Sequence, residues 1–226
     1  MAMIVTLSGA SGAGKSTIGE WLRKRFGVNL KPIVSYTTRE PREADPPGEY
    51  AYVSVEEFER MKQAGKFIWF VFVSGNWYGT TFSSLEETKL EPNTIFLMIL
   101  EPDSVGTLHI HTKKMGLKII PFYIISPSVE ELRWRLQNRA RQERDKKISK
   151  MRSQGRAEMD VWEWLKQQRL KDQAALERRL LDCLNWDERA LESKIPYVFI
   201  RNDMADLGQQ AAATVATEIV QRMAAQ

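Results

Sequence analysis

A glycine-rich loop near the N-terminus restricts the possible folds of this chain more than any other feature. The loop GASGAGKST, residues 9–17, fits the pattern G-x-x-x-x-G-K-[ST]. It follows the apolar run at 3–9 and precedes a helical pattern at 16–26. Glycines allow backbone N–H groups to turn toward phosphate oxygens, and the N-terminus of the next helix adds partial positive charge. Strand, loop and helix together predict a site for a nucleoside triphosphate.

Some residues of this loop are expected to bind the phosphates and one to bind a metal ion. Lys15 is predicted to reach the β- and γ-phosphates, and the Ser16 hydroxyl is predicted to ligate Mg²⁺. ATP and Mg²⁺ are therefore the expected cofactors. The predicted ATP-binding residues are Gly9, Ser11, Gly12, Ala13, Gly14, Lys15, Ser16 and Thr17.

Short apolar runs alternate with helical patterns along the rest of the chain. Strand-like runs occur at 32–38, 50–55, 67–73, 94–100, 117–125 and 196–200, and helical patterns at 54–64, 103–115, 128–146 and 203–224. This alternation predicts an α/β fold, a P-loop NTPase core with a parallel sheet flanked by helices. We expect the core to comprise 1–34, 94–127 and 193–226, with an inserted lobe at 35–93 and a helical segment at 128–192 that breaks near 153–155.

Composition, the length of the apolar runs, the N-terminus and the cysteine content together predict a globular protein of the cytoplasm. Of the 226 residues, 43% are hydrophobic and 27% are charged. The longest apolar runs are too short to cross a bilayer, so no membrane contact is expected. An export signal is not visible at the N-terminus, and a single cysteine, Cys183, has no partner for an intrachain disulfide.

The positive charge is concentrated in one segment. The chain has a net charge of +4, but residues 133–180 contain 15 Lys and Arg against 7 Asp and Glu. A basic segment on a body of slight negative charge favours a polyanion as a ligand, either nucleotide phosphates or nucleic acid.

A second phosphate site is indicated by SYTTREPR at 35–42. Arg39 and Arg42 stand three residues apart after a strand-like run, where two guanidinium groups can bind one phosphate from two sides. With this segment, the sequence resembles the guanylate kinases over nearly the whole chain. The resemblance rests on 9–17 and 35–42, on GEYAYVSVEEF (48–58), GNWYGT (75–80), PSVEELRWRLQNR (127–139), ERRL (177–180) and YVFIRND (197–203).

The resemblance implies an ATP-dependent nucleoside monophosphate (NMP) kinase with GMP or dGMP as its acceptor. It implies that 35–93 is a mobile NMP-binding lobe and that 128–192 is a helical lid. In the family pattern, Arg39, Arg42, Tyr50 and Tyr78 bind the acceptor phosphate, and Ser35 and Thr80 contact the base. Arg135, Arg139 and Arg179 correspond to lid arginines. The catalytic residues so implied are Lys15, Arg39, Arg135, Arg139 and Arg179.

The positions that bind guanine in the family differ in this sequence. Trp69 stands where the family has a glutamate that accepts hydrogen bonds from guanine. Met98 and Leu100 stand at the two aspartates of a second family signature, and only Glu101 and Asp103 could substitute if a bulge shifts the strand. Trp69 is expected either to stack on a base or to pack within the lobe. The sequence therefore does not determine which base the acceptor carries.

The sequence leaves two alternative functions open, and it does not determine the role of one insertion. Guanylate-kinase-like binding modules of scaffold proteins bind phosphopeptides without catalysis, and related P-loop kinases phosphorylate sugar phosphates. The insertion at about 140–176 is basic and contains Trp162 and Trp164. It is expected to enlarge the lid, with a partner surface or a nucleic-acid contact as weaker alternatives. Small nucleotides are the expected partners, and the oligomeric state is open.

Overall fold

The computed structural model describes residues 2–42, 45–73, 75–125, 127–202 and 208–225. The strands are β1 (Met3–Ser8), β2 (Leu30–Pro32), β3 (Ser35–Thr37), β4 (Tyr50–Tyr52), β5 (Phe67–Val73), β6 (Asn76–Thr81), β7 (Ile95–Ile99), β8 (Lys118–Ile125) and β9 (Val198–Arg201). The α-helices are α1 (Lys15–Phe26), α2 (Val55–Gln63), α3 (Phe82–Glu86), α4 (Pro102–Lys114), α5 (Val129–Ser153), α6 (Glu158–Glu192) and α7 (Gln209–Ala224).

A parallel sheet in the order β2-β7-β1-β8-β9 forms the centre of the molecule. Every residue of β1 is buried, because helices cover both faces of the sheet. Val5 and its neighbours on one face pack with α1 and α7, and Ile4 on the other face packs with α4. The predicted α/β fold with a parallel sheet flanked by helices is confirmed.

A second sheet has the strand order β4-β3-β6-β5 and lies within the range 35–93. The sequence predicted one strand at 32–38, and this prediction was wrong. Pro32 ends β2, which pairs with β7 of the central sheet, whereas Ser35 begins β3, which pairs with β4 and β6. Proline has no N–H with which to continue a ladder, and the chain passes from one sheet to the other at this point.

Helices α5 and α6, which we call the arm, pack against each other after a short turn. They have 25 and 35 residues, or about 37 and 52 Å at 1.5 Å per residue. The predicted break near 153–155 is observed, with Gly155 in the left-handed region at φ 73°. The base of the arm packs on the glycine-rich loop through a buried cluster of Ala10, Leu132, Leu136, Leu176, Leu180 and Cys183.

The helix predicted at 203–224 is observed from Gln209, and its first residues, 203–207, lie outside the described residues. Among the described residues, no helix combines the length and the apolar character that a bilayer crossing requires.

Candidate active site

The side chain of Lys15 lies inside the glycine-rich loop. Its Nζ donates to the carbonyl oxygens of Gly9 at 2.7 Å and Ala10 at 2.8 Å. Burial lowers the pKa of Lys15 to about 8, although the carboxylate of Glu101 partly opposes the shift. The negative charge around the ammonium group is thus too small to offset the effect of its burial. A polyphosphate is the kind of ligand that would supply more negative charge.

The curvature of the loop depends on glycine at two positions in particular. Gly9 has φ 136°, and a Cβ there would lie 2.4 Å from the carbonyl oxygen of Ile124. Gly14 has φ 100°, and a Cβ there would lie 2.0 Å from Nδ2 of Asn202. Both positions combine a left-handed backbone with close neighbours, so any other residue would displace the loop.

A cavity of about 370 Å³ borders the loop, and we call it the loop cavity. Arg135 is fixed beside it, since its guanidinium donates to the carbonyl oxygens of Gly12 at 3.2 Å and Asn202 at 3.1 Å and pairs with Glu131. Asn202 in turn donates from Nδ2 to the carbonyl oxygen of Ala13 at 2.7 Å. The loop cavity is lined by Ser11, Gly12, Gly14, Lys15, Ser16, Thr17, Trp134, Arg135, Arg139, Asn202 and Gly208.

A second cavity, of about 320 Å³, extends between the two sheets and the arm, and we call it the sheet cavity. Its volume lies at the lower end of the range for small-molecule sites. The structure brings seven of the predicted site residues outside the loop to its lining: Ser35, Arg42, Tyr50, Trp69, Tyr78, Arg139 and Arg179.

Four of the predicted acceptor residues form one row across the second sheet. Trp69 pairs with Thr80, and Ser35 pairs with Tyr50. The hydroxyls of Ser35 and Thr80 lie 2.9 Å apart and share a hydrogen bond. Within this row, Thr80 is fully buried and is not among the described residues that line the sheet cavity.

Arg39 has a different position from the other predicted acceptor residues. It is 8% exposed, and its guanidinium donates to Asp45 at 2.8 Å and to the carbonyl oxygen of Glu40 at 2.9 Å. Although burial would raise the pKa of Asp45, hydrogen bonds from Arg39 and from Tyr52 hold it below the usual value. The guanidinium lies 5.2 Å from the centre of the Tyr50 ring, and Arg39 is not among the described lining residues of the sheet cavity.

The structure adds residues to the site that the sequence did not single out. Glu49, which pairs with Arg23 at 2.8 Å, lines the sheet cavity, as does Asp182 of α6. Trp134 and Asn202 line the loop cavity. Asn202 directly follows β9, and polar residues at the carboxyl ends of parallel strands are the signal that could have found it.

Of the two expected substitutes for the family aspartates, only Glu101 lines the sheet cavity among the described residues. Burial raises the pKa of Glu101 to about 6, and the charge of Lys15 opposes the shift. Asp103 instead pairs with Arg189 at 2.5 Å. The register of β7 against β1 is regular from Ile95 to Ile99, so the bulge that was considered for this strand is not observed there.

The loop cavity and the sheet cavity meet at three residues. Ser11, Lys15 and Arg139 line both of them. One group on the loop and one on the arm can therefore contact ligands in either cavity.

Comparison with known proteins is consistent with this geometry. The sequence profile described as guanylate kinase matches residues 1–171, about three quarters of the chain. The chain belongs to the guanylate kinase family. The guanylate kinase of Wolbachia sp. subsp. Brugia malayi (strain TRS) is 38% identical over 138 residues, which are 61% of this chain and 68% of the relative. The guanylate kinase of Schizosaccharomyces pombe is 32% identical over 160 residues, 70% of this chain and 76% of the relative.

A solved structure of the family has the same fold. The crystal structure of guanylate kinase from Anaplasma phagocytophilum matches with a TM-score of 0.55 and 21% sequence identity, over 98% of this chain and 87% of that chain. Because the chain belongs to this family, the positions at which it differs from the family pattern are informative about its site. Trp69, Met98 and Leu100 all line the sheet cavity.

Proposed function

We propose that this chain is an ATP-dependent NMP kinase that transfers the γ-phosphate of ATP to the phosphate of a nucleoside monophosphate. The observation that supports it most directly is the meeting of the loop cavity and the sheet cavity at Ser11, Lys15 and Arg139. A triphosphate on the loop and a monophosphate in the sheet cavity would then face each other across one ammonium group. The names of the relatives make GMP and dGMP the first acceptors to assay.

The residues of the two cavities suit phosphoryl transfer, which depends on in-line positioning and on neutralising charge rather than on covalent chemistry. Lys15 would exchange the two loop carbonyls for phosphate oxygens. Arg139 and Arg179 of the arm would bind the phosphates from one side, and Tyr50 and Tyr78 of the second sheet would bind the acceptor phosphate from the other. Closing these elements around the reactants would exclude water and so limit hydrolysis.

Arg39 and Arg135 have supporting roles in this proposal. Arg135 bridges the loop and the segment after β9 through the carbonyl oxygens of Gly12 and Asn202, and so holds the loop. Arg39 holds Tyr50 through the guanidinium that lies against its ring. Both act by positioning other groups, and a contact of either with phosphate remains a prediction.

The metal site fits the proposal through the chemistry of its donor. Ser16 is exposed at the first turn of α1, next to Lys15. A serine hydroxyl completed by phosphate oxygens and water is a ligand set that Mg²⁺ accepts. Ser16 would hold Mg²⁺ beside the phosphates, and the ion would neutralise part of their charge.

A coupled assay of ADP production tests the proposal. ATP and Mg²⁺ are supplied with each of the common ribo- and deoxyribonucleoside monophosphates, and separately with ribose 5-phosphate. We expect turnover with at least one NMP, and loss of it in Lys15→Ala but not in Lys24→Ala. Turnover with the sugar phosphate alone would contradict the proposal. Phosphopeptide binding that neither ATP nor Lys15→Ala affects, together with no turnover, would instead support a binding module.

A further inference from the structure

A third cavity lies between the two helices of the arm, and we call it the arm cavity. Its volume is about 460 Å³, within the range of small-molecule sites. Four lining positions on each helix are spaced i, i+3, i+4 and i+7, which places them on one face of that helix. They include Ala140, Arg141 and Arg144 of α5 and Arg169, Asp172 and Gln173 of α6.

The packing between the two helices changes at this cavity. The buried cluster at the base of the arm extends as far as Leu136 on α5 and Leu176 on α6, and both leucines line the cavity. Farther from the base, the lining consists mainly of arginine, amide and carboxylate side chains. A polar ligand could therefore bind between the helices without displacing an apolar side chain.

The lining of the arm cavity is positively charged. Three arginines and one aspartate give the described lining residues a formal charge of +2. Arg169 is exposed and forms no ion pair within the described part of the chain. Arg141 is 76% exposed and lies 3.9 Å from Asp145, a contact that contributes little. Positive charge that faces a cavity favours an anion as its ligand.

Arg144 is held in place on the wall of this cavity. Its guanidinium pairs with Asp172, which also accepts a hydrogen bond from Nε2 of Gln168 at 2.8 Å. The side chain of Arg144 is only 20% exposed. A guanidinium has five N–H donors, so pairing with one carboxylate oxygen leaves others for a ligand. Guanidinium groups bind phosphate oxygens in pairs, and a group that is already fixed loses little entropy on binding.

Trp134 adds an aromatic surface to the arm cavity. It is 54% exposed, and it is the one described residue that lines both the arm cavity and the loop cavity. The arm cavity and the sheet cavity have no described lining residue in common. Bases stack on aromatic side chains, and arginines bind phosphates. An aromatic ring beside several arginines therefore suits a ligand that carries both a base and phosphates.

We propose that the arm cavity is a second nucleotide site, separate from the two cavities in which transfer is proposed. A free nucleotide binds there with its phosphates on Arg144 and Arg169 and its base on Trp134. It contacts both helices where apolar packing between them is absent, and so stabilises the arm. Binding at this site does not require the chain to be a kinase.

The first experiment measures binding by calorimetry to Lys15→Ala, in which the loop cavity has lost its ammonium group. ATP, GTP, CTP and UTP are the probes, and inorganic tripolyphosphate shows what the phosphates contribute alone. We expect at least one nucleotide to bind with a stoichiometry of one and about fivefold or more tightly than tripolyphosphate. Absence of saturable binding, or tripolyphosphate binding as tightly as every nucleotide, would overturn the proposal.

A second experiment assigns this binding to the arm cavity. Arg169→Gln, added to Lys15→Ala, should weaken nucleotide binding about tenfold or more, because a charge-assisted hydrogen bond is lost. Because Arg169 is exposed, the fold should be retained, and circular dichroism checks it. Arg178→Gln is the matched control, since Arg178 is an exposed arginine of α6 outside the described cavity linings. Equal affinities of the two variants would contradict the proposal.

A third experiment separates a second site from an extension of the loop cavity. A non-hydrolysable analogue of the tightest nucleotide is titrated into the unmodified protein, and we expect two binding events, one of which Arg169→Gln weakens. A single event, weakened by both Lys15→Ala and Arg169→Gln, would show that the arm cavity only extends the loop cavity.

A short single-stranded oligonucleotide is titrated into Lys15→Ala in parallel. We expect it to bind no more tightly than the best free nucleotide. If it binds more tightly, and Arg169→Gln weakens it, the arm is a nucleic-acid surface and the proposal of a site for a free nucleotide is wrong.

Discussion

Lys15 combines a position at the centre of the site with a pKa that lies near neutral pH. Because burial lowers its pKa to about 8, the ligand-free protein loses the ammonium charge as the pH rises through this value. Phosphate oxygens favour the charged form, so binding of a triphosphate above pH 8 must be accompanied by proton uptake.

We therefore expect the affinity for a non-hydrolysable ATP analogue to fall as the pH rises above about 8, by up to about tenfold per pH unit. Isothermal calorimetry between pH 6.5 and 9.5 measures it. Lys15→Arg is the control, because its guanidinium stays charged throughout this range and its affinity should stay level. An affinity of the unmodified protein that does not change with pH would show that Lys15 does not bind the phosphates.

Trp134 is a residue whose place beside the glycine-rich loop only the structure shows. It lies on α5, is 54% exposed and lines the loop cavity, where the loop itself would bind phosphates. Its ring is thus an available surface for the base of the donor nucleotide.

Stacking of a base on an aromatic side chain contributes about 1–3 kcal/mol, so Trp134→Ala should raise KM for ATP about 5–150-fold and leave KM for the acceptor unchanged. Trp134→Phe should retain most of the affinity. Steady-state kinetics with each substrate varied in turn gives both constants. Trp162→Ala, an exposed tryptophan outside both described cavity linings, should match the parent, and equal effects of the two alanine variants would argue against stacking.

At the scale of the elements, the arm and the glycine-rich loop share one hydrophobic cluster. Leu132 and Leu136 of α5 lie so close to the loop that a Cβ on Gly12 would be 2.8 Å from Leu132 and 3.3 Å from Leu136. Leu176, Leu180 and Cys183 of α6 complete the cluster. Movement of the arm and the shape of the loop are therefore mechanically connected.

Leu136→Ala removes packing from both elements and should lower the free energy of unfolding by about 2–5 kcal/mol. It should also weaken binding of the ATP analogue, because the loop loses a neighbour. Denaturant titration and calorimetry measure the two effects. Leu170→Ala, at an exposed position of α6, should change stability by less than about 0.5 kcal/mol. Unchanged ATP binding in a destabilised Leu136→Ala variant would show that the cluster supports the arm alone.

Elements with a strong local pattern could be predicted from the sequence, and contacts between distant segments could not. The loop at 9–17, β5 and the break near Gly155 follow from glycine spacing and apolar runs. The division of the run at 32–38 depends on which sheet each half joins, and this is decided by partners at β7 and β6. Likewise, Arg39 matches a phosphate-binding pattern, but its pairing with Asp45 depends on the fold of the turn between them.

At the scale of the whole molecule, three separate parts contribute to one site. The central sheet supplies the loop, the second sheet supplies the tyrosines and Trp69, and the arm supplies Arg139 and Arg179. The basic segment predicted to bind a polyanion includes both of these arginines. A ligand that touches all three parts should bring them together, as the proposed kinase reaction requires.

In the proposed reaction, a phosphoryl group passes directly from ATP to a nucleoside monophosphate. Incubation with ATP labelled in the γ-phosphate, Mg²⁺ and a mixture of monophosphates, followed by chromatographic separation, tests it most directly. We expect label in a nucleoside diphosphate, with no such product from Lys15→Ala. Label found only in inorganic phosphate, or remaining in ATP, would contradict it.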